Sequence, residues 1–176
     1  VELVRVKIGD IVFADRDVPL AEVVLDRLRE RRQTIATVES CTGGLVGEML
    51  TEIPSSSDAY IGGWVTYTNA MKTSQVGVHP DVFEKHGAVS EECCRAMATG
   101  GRERSGSDYA ISVTGIAGPG GGSAEKPVGT VWIGLASPSG VRAERFRFNG
   151  DREMIRQRSA TAALAMLWKA IKEPRA

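Results

Sequence analysis

At 176 residues the chain fits one domain, and burying roughly two thirds of its unfolded surface lets it build a core without staples. Hydrophobic residues make up 42% and charged residues 25%, a globular composition that argues against disorder. The 22 basic and 22 acidic side chains cancel, which speaks against broad binding to nucleic acid or an anionic membrane but leaves room for one phosphate site. Of the three cysteines, Cys93 and Cys94 are adjacent and Cys41 stands alone. An odd count without a CxxC pair predicts neither a disulfide framework nor a metal site, and so a reducing, cytoplasmic compartment. No apolar run is long enough to span a bilayer, and the amino end lacks a signal-peptide pattern.

The β-branched run Val1–Phe13 reads as a strand or hairpin turning at Gly9-Asp10. Pro19 opens a helix with Leu20, Val23, Val24 and Leu28 on one face. Thr34–Val38 is a core strand, and Leu45–Leu50 a helix ending near Pro54. Ala59–Thr68 reads as a second strand, Asn69–Val76 as a short helix, and Ser90–Arg104 as a longer one capped by Ser90. His79 and His86 fall near turns, in solvated or capping roles. Tyr109–Thr114 is a strand, Gly115–Pro127 a glycine-rich loop, and Val128–Ala136 and Val141–Phe148 a hairpin. Asp151 caps a last helix running to about Ile171. Alternating strands and helices followed by a hairpin predict an α/β domain with a mixed sheet.

Three segments carry candidate chemistry. Ser40-Cys41-Thr42-Gly43-Gly44 lies between a strand and a helix, at the sheet edge where α/β proteins bind ligands. Amides of the following helix would face the same point, able to hold a phosphate or an oxyanion. The same serine also fits an ordinary helix N-cap, and Cys41 is a second nucleophile beside it, though a buried, inert thiol is the commoner state. Tyr67-Thr68-Asn69-Ala70-Met71-Lys72 ends a strand. A lysine held neutral can serve as a base for serine, but by pattern alone Lys72 reads as solvated and Tyr67 as a core aromatic. Thr114-Gly115-Ile116-Ala117-Gly118-Pro119-Gly120-Gly121-Gly122 lets a ligand approach the backbone, or is a plain surface loop; it is not a Walker motif.

Read in order, with His86-Gly87-Ala88-Val89-Ser90 and Glu125-Lys126-Pro127-Val128-Gly129, these segments resemble the CinA C-terminal domain family, the bacterial nicotinamide-nucleotide amidases. The likeness runs from about Leu20 to Ile171, with Val38 where the family commonly has alanine and Thr68 where it often has serine. It implies a three-layer α/β/α sandwich that converts nicotinamide mononucleotide to nicotinate mononucleotide and ammonia. Ser40 would be the nucleophile, assisted by Lys72 and Tyr67. The oxyanion would rest on amides of Cys41, Thr42, Gly43 and Gly44. Asn69 and Gly118 would line the substrate, with Thr114, Gly115 and Arg152 near its phosphate. No metal or organic cofactor is implied. The expected partner is the small nucleotide substrate, in a homo-oligomer; no role is evident for the first nineteen residues. A nucleotide-binding module without turnover, or an amidase for another small amide, remains as an alternative.

Overall fold

The computed structural model describes residues 17–172, so the segment Val1–Phe13 lies outside the described residues. Pro19 precedes α1 (Leu20–Glu30), which buries Ala21, Val24, Leu25 and Leu28 along one stripe. Then follow β1 (Ile35–Glu39), α2 (Leu45–Thr51), a 3₁₀ turn at Ser56–Asp58, β2 (Tyr60–Val65), α3 (Asn69–Val76), α4 (Pro80–His86) and α5 (Glu91–Ser105). The chain continues through β3 (Tyr109–Gly115), β4 (Thr130–Ser137), β5 (Gly140–Arg147) and α6 (Arg152–Ile171). Ser90 and Asp151 cap α5 and α6 as the pattern predicted.

Two elements differ from the sequence reading. The turn region between His79 and His86 is a helix: Pro80 occupies its first position, and the His79 ring nitrogen Nδ1 accepts from the Asp81 amide at 3.3 Å. Strand β2 stops at Val65, short of Thr68. One more ladder-type bond joins the Thr66 amide to the Glu39 carbonyl at 2.8 Å, and the chain then turns because Thr68 already caps α3.

The sheet has the order β2-β1-β3-β4-β5. β2, β1 and β3 run parallel, while β4 and β5 join antiparallel, so the sheet is mixed. Each parallel step needs a crossover. α2 makes the first on one face, and α3, α4 and α5 make the second on the other. Strand alternation then divides the core. Ile35, Ile111, Val113, Val131, Ile133 and Leu135 pack with α1, α2 and α6. Val38 packs with Val76, Cys93 and Met97 on the opposite side, and Ala110 and Ala136 with Ala98. The result is the expected three-layer α/β/α sandwich.

Adjacent glycines inside α5 have a packing reason. A Cβ on Gly101 would run into Val38, and one on Gly100 into the Val76 carbonyl. Glycine costs a helix interior roughly 1 kcal/mol against alanine. Here that cost is offset because α5 lies close against β1 and α3, which keeps α3 down on the sheet. Among the described residues no helix is long and apolar enough to cross a membrane.

Candidate active site

Because β1, β2 and β3 are parallel, their C-terminal ends share one edge of the sheet. The segments that follow them meet there: Ser40 touches Lys72, and Arg152 joins Tyr67 to Gly118.

Ser40 follows directly on β1. Its amide still belongs to the ladder, donating to the Val113 carbonyl at 2.9 Å. Its Oγ lies 3.1 Å from Lys72 Nζ, which also donates to the Thr66 carbonyl at 2.8 Å. Lys72 is only 1% exposed, the reverse of the solvated lysine its local pattern suggested. The reason is spacing: Lys72 and Val76 are four apart, so the face of α3 that seats Val76 on the sheet carries Lys72 inward too. Burial strips water from the ammonium and holds the amine below its ordinary pKa, with the neighbouring Cys93 and Cys41 acting in the other direction.

The turn after Ser40 is organised by Glu39, which no local pattern in the sequence singles out. Glu39, 1% exposed, turns its carboxylate under α2. Oε2 accepts from the amides of Gly44 and Val46 at 3.0 and 3.1 Å, and Oε1 from Gly47 at 2.9 Å. A buried carboxylate is thereby satisfied by amides at the positive end of the helix dipole. This corrects two expectations. Ser40 is not the cap of α2; Gly44 holds that position at φ +100°, a conformation open to glycine, and Glu39 does the capping. Nor are the amides from Cys41 to Gly44 all free. Gly44 is bound to Glu39, and Gly43 donates to the Ser40 carbonyl at 3.0 Å. The amides of Cys41 and Thr42 donate to no other residue among the described ones.

Cys41 beside the serine is buried, and burial pushes its thiol up to about 12. A thiol that stays protonated is a poor nucleophile, so the turn favours Ser40. Burial likewise raises Cys93 to about 11 and lifts Cys94 further.

Tyr67 is also the reverse of its local reading. Thr66 is buried and Tyr67, the next residue, is 55% exposed. Its hydroxyl accepts from Arg152 Nη2 at 3.0 Å and not from Lys72, whose Nζ is anchored on the Thr66 carbonyl instead. Arg152 Nη1 donates to the Gly118 carbonyl at 2.8 Å, while its neighbour Asp151 caps α6 through the Met154 amide at 2.8 Å. Gly118 is buried at φ +82°, where a Cβ would stand 2.7 Å from Val128 Cγ1. Thr114 is buried and donates its hydroxyl to the Ala88 carbonyl at 2.8 Å, so that group is committed to the fold. Gly115 ends β3 opposite Val131, and Asn69 opens α3 on an exposed position. Arg156 completes the rim, with Nη2 and Nε donating to the Thr42 carbonyl at 2.8 and 3.3 Å. Its signal in the sequence was its place four residues after Arg152 on the same helix face.

The model of the CinA C-terminal domain matches residues 17–171. A CinA-like protein of Chlorobaculum tepidum is 50% identical over 178 residues, covering 98% of this chain and 42% of that protein. One of Myxococcus xanthus is 47% identical over 164 residues, covering 93% and 39%. The chain thus spans about two fifths of the length of these curated relatives. A competence/damage inducible protein of Agrobacterium tumefaciens superposes with a TM-score of 0.84 at 41% identity, covering 88% of this chain and 94% of that one. A CinA superfamily protein of Escherichia coli does so at 0.85 and 33% identity, covering 91% and 94%.

Proposed function

The chain belongs to the CinA C-terminal domain family, and from that premise we propose that it is a serine amidohydrolase converting nicotinamide mononucleotide to nicotinate mononucleotide and ammonia. The observation that carries the chemistry is the buried Ser40–Lys72 pair, 3.1 Å apart, with an amine biased toward its neutral form. The substrate is the one that the resemblance to the nicotinamide-nucleotide amidases implies.

With Lys72 neutral, the Ser40 hydroxyl donates to Nζ while an Nζ hydrogen stays on the Thr66 carbonyl. Oγ attacks the carboxamide carbon as Nζ takes its proton. The oxyanion forms against the amides of Cys41 and Thr42, which donate to no other residue among the described ones. Lys72 returns the proton to the leaving nitrogen, the C–N bond breaks and ammonia departs. Water, deprotonated by Lys72, attacks the ester carbon and Ser40 recovers its proton as the acid leaves. Tyr67, held by Arg152 at the rim, orients the ligand rather than relaying the proton. The phosphate lies toward Arg152 and the exposed glycines Gly120, Gly121 and Gly122, whose amides donate to no other residue among the described ones.

The test is ammonia release by purified protein from nicotinamide mononucleotide, nicotinamide riboside and unrelated small amides. Turnover of the mononucleotide, with the riboside at least about tenfold less efficient, is expected if charged contacts hold the phosphate. Binding without ammonia release would make the chain a nucleotide-binding module, and turnover of a different amide alone would reassign the substrate.

A further inference from the structure

The turn Ser40–Gly44 is held from three sides. Its start is anchored by the Ser40 amide on Val113, and its end by Gly44 on Glu39. The third hold comes from across the site, where Arg156 of α6 donates twice to the single carbonyl oxygen of Thr42. Arg156 is half-buried and has no acidic partner among the described residues. Its charge is directed at a neutral peptide oxygen.

Peptide planarity shows what that contact governs. The Ser40 carbonyl shares a plane with the Cys41 amide, and the Gly43 amide holds it at 3.0 Å. The Thr42 carbonyl shares a plane with the Gly43 amide, and Arg156 holds it at 2.8 Å, with a longer bond from the Leu45 amide at 3.4 Å beside it. The plane carrying the Thr42 amide lies between these two. Resting on the reading of Ser40 as nucleophile, we propose that Arg156 is a positioning residue of the oxyanion hole: by holding the Thr42 carbonyl it keeps the Cys41 and Thr42 amides aimed at the developing charge. It acts through the turn and touches neither substrate nor the reacting atoms. Its effect therefore falls on the transition state rather than on binding.

The experiment compares wild type, Arg156→Met and Arg156→Lys in two assays. The first is steady-state ammonia release. The second is the rate at which a fluorophosphonate probe labels Ser40, followed by mass spectrometry, which needs no knowledge of the substrate. Arg95→Met, an exposed arginine of α5 paired with Glu91 at 3.4 Å, controls for loss of one charge. Arg156→Met should lower kcat and the labelling rate by up to about a hundredfold with KM little changed, the cost of misplacing a reacting group by about 1 Å. Arg156→Lys should restore part of the loss, and the pH profile should keep its midpoint because the base is untouched. Should Arg156→Met fail to fold by circular dichroism, Arg156→Leu, which ends before the Nε position and carries no donor, is read in its place. Labelling of the variant at the wild-type rate, or a rise in KM with kcat preserved, overturns the proposal alone. A wild type that the probe does not label at Ser40 removes the nucleophile and the inference with it.

Discussion

The turn after β1 and the loop after β3 are both rich in glycine, both follow a buried parallel strand, and both lie at the same edge of the sheet. They are built in opposite ways. Residues Ser40–Thr42 are buried, and the turn is tied by Val113, Glu39 and Arg156. Residues 119–125 are exposed, and the loop is held at its base: Ile116 pairs with Thr130, Gly129 with Ile116, and Gly118 with Arg152. The glycines differ as well. Gly44 serves a backbone that must turn onto a helix, whereas a Cβ on Gly120 would meet nothing within 4 Å. Covalent chemistry needs atoms held to a fraction of an ångström, and the tied turn suits it. Accommodating a ligand needs backbone that can be approached, and the open loop suits that.

The sharpest way to break the comparison is to remove the proposed nucleophile from the rigid half. Ser40→Ala should cut ammonia release by at least about a thousandfold while circular dichroism stays native. Cys41→Ala should stay within severalfold, because a thiol raised to about 12 is not ionised at neutral pH. The opposite pattern would move the reaction to the cysteine.

Next comes the proposed base. Lys72→Arg keeps the charge but cannot be deprotonated, so both it and Lys72→Met should lose about a hundred- to ten-thousandfold in kcat/KM. If Lys72 is the base, kcat/KM in wild type should rise with pH through one ionisation lying below the ordinary 10.5, since only a neutral amine can accept the serine proton. Stability follows the same group. Between its lowered folded-state pKa and about 10.5 the unfolded chain binds more protons than the folded one, so stability rises with pH across that window. Below the window both states carry the proton and this contribution has no slope. Urea melts across the alkaline range should show the rise in wild type and lose it in Lys72→Met.

Glu39→Gln tests what ties the turn. It leaves amides of α2 facing an amide nitrogen or nothing, and should cost about 1–3 kcal/mol in urea unfolding with an unchanged m-value. The smallest effects separate two positions of the loop. Gly118→Ala meets Val128 at 2.7 Å on a φ of +82° and should destabilise by about 1–3 kcal/mol. Gly120→Ala meets nothing and should stay within about 0.5 kcal/mol. Equal costs at Gly118 and Gly120 would mean that the loop is not divided into a fixed base and an open tip.

The sequence by itself determined the order and type of nearly every element, because hydrophobic period, caps and glycine breaks are local signals. Ser90 and Asp151 stand as caps where the local pattern places helix starts. Only the resemblance to a family, read from five motifs in order, grouped Ser40, Lys72 and the glycine loop. Tertiary structure alone decided which side chain does what. Lys72 and Tyr67 exchange their local readings, one buried and one exposed, because α3 is pressed onto the sheet while the chain after β2 turns outward. Glu39 looks like any charged residue after a strand until α2 lies above it. Arg156 finds Thr42 across 114 positions of chain, a meeting set only when α2 and α6 pack in the same layer. Burial and long-range pairing arise from how the elements pack together, so no local pattern encodes them.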